Sequence, residues 1–170
     1  MIFVKRAKHL SNCFISIIVA MGSALIPINT SSGATTTSTF QVTATVASSC
    51  TVTATSLAFG NYTLAQLDSS STITATCTNG TTYTIGLDAG TFSGATTSTR
   101  RMTGPSAAGL SYSLFSDSAR TTNWGNATGS LVSGTGTGAA QVLTVYGRIP
   151  ANQTTLIGNY TDTVTVTVTF

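Results

Sequence analysis

Glutamate is absent from this 170-residue sequence, and beyond residue 9 lysine and histidine are absent as well. Charged residues make up 6% of the chain, where about 25% is usual for soluble domains. These gaps exclude much chemistry. Without His, Lys or Glu there is no ordinary general base, no histidine-based metal site and no Ser–His–Asp arrangement. The chain therefore reads as a non-enzyme, with no catalytic residue, cofactor, metal or small-molecule substrate assigned. Beyond residue 9 the charges are Arg100, Arg101, Arg120 and Arg148 against Asp68, Asp88, Asp117 and Asp162, a balance of 4 − 4 = 0. The net charge of +3 and the pI near 9.0 come from Lys5, Arg6 and Lys8. Arg100-Arg101 is too small a basic footprint for nucleic acid, which is excluded as a partner.

Long apolar runs are missing too, except near the start. Met1–His9 is basic, Cys13–Ile26 is apolar, and Pro27 and Asn29 follow. This is the pattern of a secretory signal peptide. Residues 1–34 are read as that leader, with cleavage after Ala34 (Ser32 at −3) preferred over cleavage after Ala24 (Gly22 at −3). Broken by Gly22 and ended by Pro27, the apolar stretch is short for a bilayer span of roughly 20 residues. The rest is expected to be exported, and soluble until it assembles. Cysteine is scarce. Cys13 leaves with the leader, so Cys50 and Cys77 remain. An even pair in an exported chain reads as a disulfide, with Cα atoms roughly 4.4–6.8 Å apart.

What is abundant is alternation. Phe40, Val42, Ala44 and Val46 share one face of Thr39–Val46, with threonine and glutamine on the other. Short β-type runs follow at Cys50–Thr55, Ser71–Thr78, Thr81–Leu87, Leu110–Phe115 and Val142–Ile149. The strongest is Tyr160–Phe170, where Val164, Val166, Val168 and Phe170 alternate with Thr163, Thr165, Thr167 and Thr169. Strict period two with β-branched residues on both faces argues strand. Turn signals separate the runs, Asn79-Gly80 and Gly158-Asn159 among them. The expected fold is all-β, an antiparallel sandwich of the immunoglobulin kind in one domain, with residues 116–140 as a long loop or irregular edge.

The sequence stops at Phe170 inside its best strand, and an alternating segment stands ahead of Cys50. A strand offered at one end and one lacking at the other suggests head-to-tail completion between molecules. On periodicity alone, Thr39–Val46 pairing within its own domain as a first strand remains equally open.

Three further pieces carry a family resemblance. They are Leu57-Ala58-Phe59-Gly60-Asn61-Tyr62 after Cys50, then Tyr112–Asp117 with Arg120 and Trp124-Gly125, and finally Tyr146-Gly147-Arg148-Ile149-Pro150 with Gly158–Phe170. Together, over about Phe40 to Phe170, they resemble the spore coat protein U domain family, which includes subunits of archaic chaperone–usher pili such as the Csu pilus. The resemblance implies an incomplete immunoglobulin-like β-sandwich lacking its last strand. It implies that a periplasmic chaperone lends a strand to the groove beside the C-terminal strand. At the outer-membrane usher, the N-terminal segment of the next subunit would replace it. The matching positions are Phe40, Val42, Ala44 and Val46 as donor face within a segment 35–49, and Val164, Val166, Val168 and Phe170 at the groove of a domain 50–170. The function so implied is a stalk or minor structural subunit of a secreted surface pilus supporting adhesion or biofilm. Its partners would be neighbouring subunits, chaperone and usher. Two other readings compete: a self-contained secreted coat or matrix protein, and a carbohydrate-binding module using Trp124 and Tyr112.

Other features carry less. Gly134–Gly138 lacks the Lys of a phosphate loop. Asn-x-Thr triplets at Asn61, Asn79, Asn126, Asn152 and Asn159 are what a threonine-rich chain contains by chance. Asp88, Asp117 and Asp162 lack calcium-loop spacing. Asp162 is expected to pair an arginine or cap a turn, and Trp124 to pack beneath a loop.

Overall fold

The computed structural model describes residues 32–170. The leader expected over residues 1–34 falls outside this range except for Ser32, Gly33 and Ala34. The chain divides into two units, Met1–Val42 and Thr43–Phe170. The described part of the first carries no helix or strand, and its Phe40 and Val42 are 88% and 81% exposed.

The second unit is all β, with one 3₁₀ turn at Pro105–Ala107 and no α-helix among the described residues. The strands are β1 (Cys50–Ala54), β2 (Leu67–Cys77), β3 (Thr82–Leu87), β4 (Arg101–Thr103), β5 (Gly109–Ser111), β6 (Ser113–Phe115), β7 (Val132–Thr135), β8 (Ala140–Ile149) and β9 (Val166–Thr169). One sheet runs β1-β2-β8-β6, a second runs β7-β3-β9, and β4-β5 form a ribbon. Every pairing is antiparallel. The expected immunoglobulin-like sandwich is the fold observed.

Alternation explains the layers. On β2, Ile73, Ala75 and Cys77 are buried while Thr72, Thr74 and Thr76 face outward. Across the core lie Tyr83, Ile85 and Leu87 of β3, and the two faces close into one cluster with Leu114, Val145, Ile149 and Trp124. The indole Nε1 of Trp124 donates to the carbonyl of Ile85 at 2.9 Å, so the ring packs inside, as its loop position suggested. The Asn79-Gly80 signal becomes a turn with Gly80 at φ 84, closed by Thr81 N–H donating to Thr78 O at 3.0 Å. Only glycine adopts that backbone cheaply.

Cys50 and Cys77 are bonded, with Cα atoms 4.1 Å apart. That is closer than the expected range. The two residues face each other directly in the β1–β2 register, and the flanking pair is joined by Thr78 N–H to Ser49 O. Cys50 and Cys77 therefore occupy a non-hydrogen-bonded position, where antiparallel Cα atoms approach most closely.

Four elements differ from the sequence expectation. Leu110–Phe115 splits into β5 and β6 at Tyr112. Residues 116–140 hold the edge strand β7 beside β3, as one of the two expectations had it, while β4 stands where no run was expected. Tyr160–Phe170 is regular strand only over Val166–Thr169. Ahead of it, the Thr165 N–H donates to the Asp88 carboxylate at 2.9 Å instead of to a backbone carbonyl. Thr39–Val46 is not a strand, and Val46 is 83% exposed. A half-apolar strand needs a facing apolar layer, and no described residue pairs with this one.

Candidate functional site: an open strand edge over a cleft

β9 has β3 on one side, and among the described residues no strand lies on the other. The pairs are Thr84 with Thr169, Ile85 with Val168, Gly86 with Thr167 and Leu87 with Val166. One step further, the Asp88 N–H donates to Thr165 O at 3.1 Å. Antiparallel ladders alternate hydrogen-bonded and non-hydrogen-bonded pairs, so Thr165, Thr167 and Thr169 turn their backbone groups toward β3. Val166 and Val168 turn theirs away. Thr161 exchanges both backbone bonds with Thr103 of β4, at 2.8 and 3.1 Å, continuing the same bonded side. Among the described residues, the N–H and C=O groups on the outer edge at Asp162, Val164, Val166 and Val168 thus have no backbone partner. Such an edge is a template for another strand.

The same residues that free their backbone point their side chains inward. Behind them lies a cleft of about 490 Å³, lined by Leu57, Phe59, Ile73, Leu87, Leu114 and Val145, with Val164 and Val166 on the β9 side. Of the expected groove residues, Val164 and Val166 line this cleft, and Val168 packs against the core beside them. Phe170 lies elsewhere. It is half exposed, over a shallow hollow formed with Tyr83 of β3 and Gly134 of β7. The expected donor residues Phe40, Val42, Ala44 and Val46 are all exposed. Leu57 and Phe59 form one wall of the cleft because Gly147 of β8 leaves room for them. A Cβ there would stand 2.8 Å from Phe59 and 2.9 Å from Leu57.

One end of the cleft is polar and tightly organised. The Asp162 carboxylate accepts from the Thr91 N–H at 2.7 Å, the Thr91 hydroxyl at 2.8 Å and the Tyr112 hydroxyl at 2.6 Å. No arginine among the described residues bonds it, contrary to one of the two roles expected for it. Burial, and then its bond to Asp162, push the Tyr112 phenol far above its usual pKa. On Asp88, burial pushes the carboxyl up, but bonds from Thr165 and Gly90 and the charge of Arg100 leave it below its usual value. The two aspartates hold the segment before β9 against the loop after β3, where the backbone ladder stops.

Sequence reasoning missed the anchor beneath this arrangement. Arg100 is wholly buried and donates to the carbonyls of Asp88, Thr97, Leu87 and Trp124 at 2.8–2.9 Å. Nothing in the Thr-Arg-Arg-Met context marks Arg100 as the inward residue; the charge scarcity was the available hint. Tyr112 and Trp124 are both buried, so neither offers a ring face for stacking a sugar. Among the described residues, no group of three or more His, Cys, Asp or Glu could hold a metal ion, and no helix is long and apolar enough to cross a membrane.

The profile described as Spore Coat Protein U domain matches residues 36–167. The chain is 41% identical over 61 residues to Protein U of Myxococcus xanthus, covering 36% of this chain and 34% of that protein. It thus spans about a third of that relative's length. One chain of a solved chaperone–tip adhesion subunit pre-assembly complex, from the archaic chaperone–usher Csu pili of Acinetobacter baumannii, superposes with a TM-score of 0.58 at 24% identity. The match covers 74% of this chain and 41% of that one. It shows the shared fold.

Proposed function

This chain belongs to the Spore Coat Protein U domain family, and from that premise we propose that it is a structural subunit of a chaperone–usher surface pilus, completed by a donor strand from the next subunit. The observation that carries the reading is the β9 edge, whose free backbone groups lie directly over an apolar cleft. The solved chaperone–tip subunit complex with the same fold supports the choice of partners. In this reading the chain crosses the periplasm bound to a chaperone, passes an outer-membrane usher and ends in the fibre as a stalk or minor subunit.

Phe40, Val42, Ala44 and Val46 are the donor face, and Val164, Val166 and Val168 border the acceptor. Phe170 extends that edge at its far end. A donor strand satisfies the free ladder and fills the cleft at once. Burying three large side chains and Ala44 contributes about 5–8 kcal/mol before ordering costs. The register is set by the alternation, since a one-residue slip turns every apolar side chain outward.

The test is fibre formation against chaperone co-purification. Val42→Asp puts an unpaired charge into an apolar slot, which costs several kcal/mol. It is expected to abolish polymerisation and leave the chaperone complex intact, because the chaperone brings its own strand. Val166→Asp damages the cleft itself and is expected to lose both. Normal polymers from Val42→Asp would remove Thr39–Val46 as the donor. A stable, soluble monomer purified without a chaperone would favour a self-contained coat or matrix protein.

A further inference from the structure

The segment ahead of β1 is on a short leash. Only Ala47, Ser48 and Ser49 separate Val46 from Cys50, a reach of about 14 Å when fully extended. The leash is also pinned. The Thr78 N–H donates to Ser49 O at 2.9 Å, and the Thr78 hydroxyl lies 3.4 Å from the carbonyls of both Ala47 and Ser49. Val46 therefore emerges beside its own domain's Thr78–Thr81 turn. If Val46 enters a neighbour's cleft, that turn must arrive against the neighbour's surface at one end of the open edge.

The end where β9 begins displays an apolar knob. Ile157 is 99% exposed and Leu156 beside it is exposed as well. The loop that carries them is held in place. The Tyr160 hydroxyl donates to Leu156 O at 2.7 Å and shares a 2.6 Å bond with the Thr155 hydroxyl. The Tyr160 ring packs on Gly104, and Gly158 packs on Pro105. Exposed Leu64 is drawn to the same end, where its carbonyl accepts from the Asn152 N–H at 2.8 Å. A fixed loop presenting large apolar side chains to water is the character of an interaction site.

We propose that Leu156 and Ile157 are the seat for the Thr78–Thr81 turn of a second copy of this chain, so that successive domains touch as bodies in addition to sharing a strand. This rests on the donor-strand reading above. The seat lies where Val46 leaves the cleft if the donor runs antiparallel to β9, the stronger of the two ladder types per residue. The contact is uncharged on both sides, the turn being Thr78-Asn79-Gly80-Thr81. A continuous β-strand gives the fibre its strength; a second contact beside it fixes the angle between subunits.

Site-specific crosslinking tests it in assembled fibres. The chain carrying both Ile157→Cys and Asn79→Cys is assembled with its chaperone and usher, treated with a short bismaleimide, and boiled in detergent. A covalent ladder of dimers and higher species is expected, and neither single variant should give one. Fibres of Ile157→Asp are expected to form in normal yield but to lose their regular inter-subunit angle in electron micrographs. Fibres of the double variant that assemble without a ladder would overturn the proposal. So would a ladder from Phe170→Cys with Asn79→Cys in its place. Failure of the unmodified chain to polymerise would instead strike the donor-strand reading, and this inference with it.

Discussion

Arg100 donates to the carbonyl of Trp124 at 2.8 Å, and Trp124 in turn donates to the carbonyl of Ile85 at 2.9 Å, with both side chains sealed in the core. One buried cation thereby ties the end of β3 to two separate loops. Its charge is dispersed over four carbonyl oxygens with no carboxylate in direct contact.

Removing that cation leaves buried acceptors unpaired, at about 1–3 kcal/mol each. Arg100→Met is therefore expected to lower the unfolding free energy by at least about 3 kcal/mol. Arg100→Lys keeps the charge and cannot make all four bonds, so it should lie between. Urea unfolding of a chain spanning residues 35–170 at neutral pH measures both. A loss from Arg100→Met no larger than that of an exposed substitution would remove the guanidinium from the core argument.

Acid should act late, and alkali only above about pH 10, where an unfolded tyrosine ionises and the buried Tyr112 phenol, held by Asp162, does not. Asp68 is held below its usual pKa chiefly by the bond from Arg148, and Asp117 is lowered to about 2 chiefly by the Thr122 N–H. Asp88 is lowered as well. A carboxyl whose folded pKa lies below its unfolded value stabilises the fold above the unfolded value. That contribution is lost as pH falls through the folded one. Beyond residue 9 there is no histidine, and Cys50 and Cys77 are bonded. The unfolding free energy is accordingly expected to be flat between about pH 5 and 9, apart from the amino terminus, and to fall from about pH 4 downward. A denaturation series across pH checks it; a step near pH 6 to 7 would contradict it.

Gly147 sets the cleft wall. Gly147→Ala would press on Phe59 and Leu57, at 2.8 and 2.9 Å from the new Cβ. Overpacking of this kind costs about 1–3 kcal/mol. It should also displace that wall, so the variant is expected to bind a synthetic peptide spanning residues 35–49 more weakly. Phe59→Leu in the same chain should restore part of both losses. Full peptide affinity in Gly147→Ala would show that Leu57 and Phe59 do not shape the slot.

The sequence showed which residues face inward wherever one face of a strand meets the core. Val164, Val166 and Val168 were legible as one face because period two is a property of the backbone, and the run Ser71–Thr78 was legible as a strand whose inward residues are Ile73, Ala75 and Cys77. What escaped was decided by side-chain bonding to distant backbone. The carboxylates of Asp88 and Asp162 replace ladder bonds before Val166, and so shorten the best strand. Short β4 and β7 carry too few alternating residues to stand out from their loops. Arg100, beside the exposed Arg101, looked like surface charge. Phe170 shares the parity of Val168 but has run past the cleft onto the rim beside Tyr83.

The bond between Cys50 and Cys77 also has a mechanical meaning. Cys50 is the first residue of a five-residue edge strand, and Cys77 is the last residue of an eleven-residue strand held on both sides. A pull on the chain at Ser49 would by itself peel β1 away one residue at a time, beginning at its weakest point. The covalent link diverts that pull into β2 before the first β1 pair is stretched. From β2 it spreads along the register with β8, which runs from Leu67 opposite Ile149 to Thr76 opposite Ala140. Many bonds then share the strain in shear, where unzipping would have broken them in turn. The sandwich is thus reinforced where a pull on its own N-terminal segment would enter it.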